Sequence, residues 1–245
     1  MKSVGYVDGS DDICLINTDK QGVDAACISP IPGFEDPNGI ADALAMNKLM
    51  YDLKQKQSRY VAALGIAEPN HGKGAFLEVD QALGELKLDG VMFHNDFNGV
   101  EVGAPVMFDI FREISKYKDA VVMLHTAFHS DLEPPFMIGQ LAEKFPDMKI
   151  VVVHPLMKLI QCKAILPVLK AHPQLLIDTC YTFYHNDVIK MLVDEIGSER
   201  MLFGSDNPYY GNLCVDKELV KTADITEQDK ENIFCHTFEK LFSIT

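Results

Sequence analysis

The sequence predicts an α/β fold, a parallel (β/α)8 barrel of the TIM type in which seven strands are recognisable and the first is missing or altered. Three observations carry this. Short apolar runs alternate with amphipathic helical stretches along the whole chain, the pattern of βαβ units on a parallel sheet. The runs are mostly continuous rather than alternating, as strands buried on both faces are. No G-x-G-x-x-G follows the first of them, which turns the choice from an open dinucleotide-binding sheet to a closed barrel.

Taken in order, the strand-type runs are AACIS (25–29), YVAALGIAE (60–68), DGVMFH (89–94), AVVMLH (120–125), KIVVVH (149–154), LLIDT (175–179) and RMLFGSD (200–206). The helical stretches are DDICLINTDKQ, closed by Gly22; GIADALAMNKLMYDLKQKQ, opened by Asn38; AFLEVDQALGEL; PVMFDIFREISKY, with Pro105 at its start; PPFMIGQLAEKF, ending before Pro146; KAILPVLKAH; and NDVIKMLVDEI, between Asn186 and Gly197. A final amphipathic helix follows a Thr226 cap. These starts and stops use ordinary cap chemistry. The first helix comes before any strand, so a barrel of eight would lack its first strand. No Gly/Ser linker, charge block or low-complexity segment divides the chain, and residues 1–245 read as one domain.

Composition excludes several partners. The chain has 245 residues, 47% of them hydrophobic, and a net charge of −14. That is enough apolar material for a large core, and the acidity argues against a nucleic-acid groove, which needs clustered Lys and Arg. Cys14, Cys27, Cys162, Cys180, Cys214 and Cys235 form no CxxC pair, which suits reduced thiols in a cytoplasmic protein. No run reaches a membrane span, and the N-terminus lacks the apolar segment of a signal peptide. A small-molecule partner is expected.

The ends of the strands carry the chemistry. His94, His125, His154, Asp178 and Asp206 stand at or near the ends of five successive runs, spaced by 31, 29, 24 and 28 residues. In a barrel those ends face one mouth, where catalytic groups of barrel enzymes sit. One strand-end His is commonly a hydrogen-bonded structural group. Three in one register with an aspartate form a ligand set for a borderline divalent metal such as zinc. Asp178 can also be explained as an acceptor for neighbouring backbone amides.

The stretches MLFGSDNP, VVMLHTAFH, IVVVHP, DGVMFH, INTDKQGVDAACISP and ITEQDKENIFCHTFEKLFSI resemble the amidohydrolase-related branch of the amidohydrolase superfamily, metal-dependent TIM-barrel hydrolases that include aminocarboxymuconate-semialdehyde-decarboxylase-like enzymes. The resemblance implies His125 as a metal ligand and Asp206 as a metal ligand that also handles the proton of the attacking water. It implies His154 as a second-metal ligand or an acid/base group, and His94 beside the substrate. The cofactor implied is a divalent metal, zinc first and manganese second, with loss of the metal in this chain as the alternative. The family's H-x-H pair on the first strand occurs nowhere in this sequence, and PLMK follows His154 where relatives carry glycines. A shortened product, or a lineage without that strand, would account for the missing pair.

The implied activity is hydrolysis of a C–N or C–O bond in a small, ring-bearing substrate, with Asp206 and His154 catalytic. The alternatives are a non-oxidative decarboxylase and a non-catalytic barrel with a binding or assembly role. Arg59, Arg112 and Arg200 all lie away from strand C-termini, which disfavours a dicarboxylate substrate. Aromatic residues of the mouth loops, Phe128, Tyr181 and Tyr209 foremost with Phe97, Phe183, Tyr184 and Tyr210, suit a ring. His71 and His129 are further loop candidates. The open edges of a barrel short of one strand and the apolar final helix point to a homodimer.

Overall fold

A computed structural model describes residues 19–20, 22–30, 37–127, 129–180, 187–207 and 213–244. Among the described residues seven parallel strands form one curled sheet in chain order: β1 (Ala26–Ile28), β2 (Tyr60–Ile66), β3 (Gly90–Phe93), β4 (Val121–His125), β5 (Lys149–Val153), β6 (Leu175–Asp178) and β7 (Met201–Leu202). This is the predicted α/β barrel with seven strands. Between them run α1 (Ile40–Lys56), α2 (Gly74–Val79), the four-residue α3 (Asn95–Asn98), α4 (Pro105–Ile114), α5 (Pro135–Lys144), α6 (Leu159–Ala171) and α7 (Asp187–Ile196). After β7 come α8 (Leu213–Thr222), α9 (Glu227–Glu231), a π turn at Asn232–His236 and α10 (Thr237–Phe242). No helix among the described residues is long and apolar enough to cross a membrane.

Sequence and structure differ in a few elements. The first predicted helix lies almost wholly outside the described residues. The last predicted strand shrinks to two residues, because Gly204 leaves the sheet and Asp206 turns at φ 52°. Helix α8 was not expected; its buried side is Asp216 and Val220, too sparse a stripe to read from sequence. Gly39 rather than Asn38 takes the N-cap of α1, while Asn38 donates from Nδ2 to Asp42 Oδ1 at 3.0 Å. The Thr226 cap stands as expected: Thr226 and Asp229 form a reciprocal capping box.

Alternation along the strands sorts the side chains into two cores. Val91, Phe93, Val122, Leu124, Ile150, Val152, Ile177 and Met201 pack outward against the helices. Inward, Val121, Val151 and Leu202 meet Leu241 of α10. A further inward cluster joins Leu64, Met92, Val153 and Cys180, with Cys27 and Phe242 against it. Each such side chain, fully buried, contributes about 1.5–3 kcal/mol. Helix α10 therefore inserts its apolar face among lumen residues, and Lys149 at the start of β5 donates to Leu241 O at 3.2 Å. Pleating carries the same inward parity on from Met92 to His94, from Met123 to His125 and from Leu176 to Asp178. The apolar lumen thus ends in polar groups at the strands' C-terminal ends.

Candidate active site

β3 and β4 pair in register, Phe93 opposite Leu124, so the next inward positions, His94 and His125, come face to face. Their rings stack at 3.6 Å between centroids, and Phe97 of α3 stacks on the other side of His94 at 3.8 Å. His125 Nδ1 hydrogen-bonds Glu133 Oε1, and His94 Nδ1 lies 3.5 Å from Glu133 Oε2. Glu133 is fully buried in the loop ahead of α5, where Ser130 Oγ accepts its backbone N–H at 3.1 Å. One ligand atom from each of His94, His125 and Glu133 lies within 4.8 Å of the others.

The second half of the mouth is built on β5, β6 and β7. His154, at φ 62°, turns out of β5 in a left-handed conformation that costs a non-glycine residue about 1 kcal/mol or more. Its backbone N–H donates to Asp178 Oδ1 at 3.0 Å, and Gln161 Nε2 donates to its carbonyl at 2.8 Å. Its Nδ1 lies 2.9 Å from Cys180 Sγ, which also donates to Asp178 Oδ2 at 2.8 Å. The His125 and His154 rings meet edge to face at 4.8 Å, so the two halves share one mouth. Asp206, the second residue here with positive φ, stands close enough to Asp178 and Asp216 to raise both. Gly204 lets β7 pass Asp178: a Cβ there would lie 3.2 Å from Asp178 Cβ and Oδ2 and 3.1 Å from Cys180 Cβ.

The electrostatics are those of a buried, neutralised cluster. Burial holds His94 and His125 down to about 4 and His154 to about 3, with His125 repelling His94 and His154 and His129 repelling His125, so all three imidazoles keep a lone pair at neutral pH. Burial lifts Glu133, Asp178 and Asp216 to about 7 and Asp206 to about 6. Asp206 adds to the lift on Asp178 and Asp216, and Asp96 to that on Glu133. No lysine or arginine among the described residues forms an ion pair with these four carboxylates. Arg200 donates instead to the Leu169, His172 and Leu175 carbonyls, Arg59 to Val23 O, and Arg112 pairs with Asp109.

This donor set fits a divalent cation. His94 Nδ1 is buried without a hydrogen-bond partner. Three neutral imidazoles share the mouth with four carboxylates that no lysine or arginine among the described residues pairs with, which is costly unless a cation or protons compensate. His125 is held at Nδ1 by Glu133, the kind of carboxylate contact that orients a ligating histidine and leaves its other ring nitrogen for a metal.

Of the predicted site residues, His94, His125, His154, Asp178 and Asp206 converge on the mouth. Phe128, Tyr181 and Tyr209 lie outside the described residues, as do Phe183, Tyr184 and Tyr210. His71 is tied instead to Glu78, Nδ1 to Oε1 at 2.6 Å, and Glu78 Oε2 also accepts the Glu68 N–H. Sequence reasoning missed Glu133, Cys180 and Asp216. Cys180 was legible as the next inward position after Asp178. Glu133 sits in a loop and Asp216 on an unpredicted helix, so neither carried a periodic signal. A surface groove of about 360 Å³ lined by Lys73, Phe76 and Arg112 contains none of the mouth residues.

No curated protein sequence matches the chain. Among solved structures, 5-carboxyvanillate decarboxylase from Sphingomonas paucimobilis superposes with a TM-score of 0.77 over 99% of this chain and 85% of its own, at 19% identity. The 2,6-dihydroxybenzoate decarboxylase from Rhizobium does so with a TM-score of 0.76 over 95% and 88%, at 17% identity. A dihydroxybenzoic acid decarboxylase from Polaromonas sp. JS666, solved with manganese and 2-nitroresorcinol, scores 0.74 over 95% and 86%, also at 17% identity. At such identities the likeness is one of fold. Residues 32–244 match the amidohydrolase family model, most of the chain including every mouth residue described above, and the chain belongs to that family.

Proposed function

We propose that the chain is a divalent-metal-dependent hydrolase acting on a C–N or C–O bond of a small, ring-bearing substrate. The single observation behind this is the buried mouth in which His94, His125 and Glu133 offer donors within 4.8 Å of one another. His94 and His125 would hold the ion, with Glu133 as a third ligand or as the group that orients His125. Asp206 and His154 are the further candidate ligands. A divalent ion bound there would supply Lewis acidity, lowering the pKa of water and polarising a carbonyl; zinc and manganese both suit imidazole and carboxylate donors.

Asp206 is the proton carrier in this reading. Its carboxyl, pushed up to about 6 by burial, can take a proton from water and return it to a leaving group near neutral pH. Asp178 holds His154 in place through its backbone N–H. A neutral His154 is a hydrogen-bond donor for a developing oxyanion. The Phe97 ring beside His94 offers an apolar wall for a ring, and Phe128, Tyr181 and Tyr209 are proposed to complete it.

A second reading, non-oxidative decarboxylation of an aromatic acid, is favoured by the fold likeness to three such enzymes and by analogy alone. In it the same Asp206 delivers its proton to ring carbon, and a substrate carboxylate would rely on the metal, since the three arginines are engaged elsewhere. The test is a screen of the metal-loaded protein with amide, ester and lactone substrates against hydroxybenzoates, following hydrolysis products and carbon dioxide separately. Asp206→Asn should abolish turnover while leaving the unfolding free energy in urea within about 1 kcal/mol of wild type. Unchanged turnover in that variant would remove Asp206 from the mechanism.

A further inference from the structure

The C-terminal helical segment carries a second donor cluster, far in sequence from the mouth histidines. Its π turn, Asn232–His236, packs inward through Ile233, whose carbonyl accepts the Phe203 N–H at 2.8 Å just beyond edge strand β7. The outward side presents Cys235 and His236, followed one turn later by Glu239. One ligand atom of each of the three lies within 4.8 Å of the others. His236 Nδ1 is 3.1 Å from Glu239 Oε2, and its Nε2 is 4.0 Å from Glu231 Oε2. A regular α-helix would turn residues five apart well away from each other. The wider π turn brings Glu231 back toward His236, and such turns are frequent at functional sites.

The geometry points to a second metal site at Cys235, His236 and Glu239, selective for a zinc-type ion and distinct from the barrel mouth. The donor chemistry supports this. A thiol, an imidazole and a carboxylate together are a zinc set, and thiolate favours zinc or cadmium over magnesium or manganese. No lysine or arginine among the described residues pairs with Glu231 or Glu239. A divalent cation bound there would release the Cys235 thiol proton to solvent as the sulfur–metal bond forms. All three ligands come from one helical stretch, so an ion there would clamp the π turn to the first turn of α10.

The experiment is a cadmium titration of the chelator-treated full chain in the His125→Ala background, which disables the mouth. Cadmium should bind with about one equivalent and an ultraviolet thiolate-to-cadmium charge-transfer band. Zinc should displace it and manganese should not. Cys235→Ser should abolish the band, and Glu239→Gln should weaken binding at least tenfold. Both positions are partly or fully exposed, so these variants keep the fold. If His125→Ala does not fold, the same band is read in the wild type and assigned by its loss in Cys235→Ser, since Cys180 beside His154 is a thiol at the mouth. A band that survives Cys235→Ser, or no bound cadmium outside the mouth, would overturn the proposal.

Discussion

Replacing Glu133 by Gln separates a metal site from a merely buried polar cluster. Glu133 accepts from His125 Nδ1, faces His94 Nδ1 at 3.5 Å and accepts the Asp96 N–H at 3.3 Å. Gln keeps the shape, and its one oxygen can still accept from His125. A charge-assisted bond then becomes a neutral one, a loss of about 1 kcal/mol, and the amide N–H₂ faces a donor at Asp96, a further loss of about 1–3 kcal/mol. Against this, Gln removes a buried carboxyl already pushed up to about 7, which at neutral pH carries its charge only part of the time. The two effects oppose, and the metal-free variant should unfold in urea within about 1–2 kcal/mol of wild type. Metal affinity behaves differently. Loss of the carboxylate that orients a ligating His lowers affinity about 10–100-fold, about 1.4–2.7 kcal/mol at 1.36 kcal/mol per tenfold, and loss of a direct ligand lowers it further. Calorimetric titration with manganese and zinc, beside urea unfolding of both proteins, reads the two quantities independently. Unchanged metal affinity in Glu133→Gln would refute the assignment of the His94, His125 and Glu133 cluster as a metal centre.

Three further outcomes follow from the geometry. The mouth carboxylates have folded-state pKa values above their ordinary ones, so the stability they contribute is present at low pH and is lost as pH rises through 6 to 7. The depressed histidines contribute the opposite way, losing stability only as pH falls from about 6.5 toward 4 and 3. The metal-free urea midpoint should therefore fall between about pH 6.5 and about pH 8, and a bound divalent ion should flatten that fall; a midpoint that rises without metal would contradict it. Gly204→Ala should cost about 1–3 kcal/mol and weaken metal binding, because the new Cβ presses on Asp178 and Cys180 at 3.1–3.2 Å; a neutral effect on both would show that β7 can shift at no cost. Leu241→Ala empties part of the lumen filled by α10 and should lower stability by about 2–5 kcal/mol in thermal or urea unfolding; a loss below 1 kcal/mol would mean that α10 is not part of the core.

Much of this protein is legible from sequence, because the signals are periodic. Continuous Val-, Ile- and Leu-rich runs between capped helices specify a parallel α/β sheet, and strand parity by itself puts His94 and His125 on the inward face. Their convergence follows from the fold class, since a parallel sheet aligns all its C-terminal ends. Other features depend on long-range contacts that no local pattern encodes. Glu133 becomes a partner of His125 only because the loop before α5 folds back over β4. Asp216 joins the carboxylate cluster from a helix too weakly amphipathic to predict. His154 and Asp206 adopt left-handed turns uncommon outside glycine, and the Asp178 and Gln161 hydrogen bonds that hold His154 there come from distant segments. Helix α10 reads as an ordinary amphipathic surface helix, yet its apolar face enters the lumen. The sequence determined which residues face inward; the tertiary structure decided which of them touch, because burial and charge coupling act between segments dozens of residues apart.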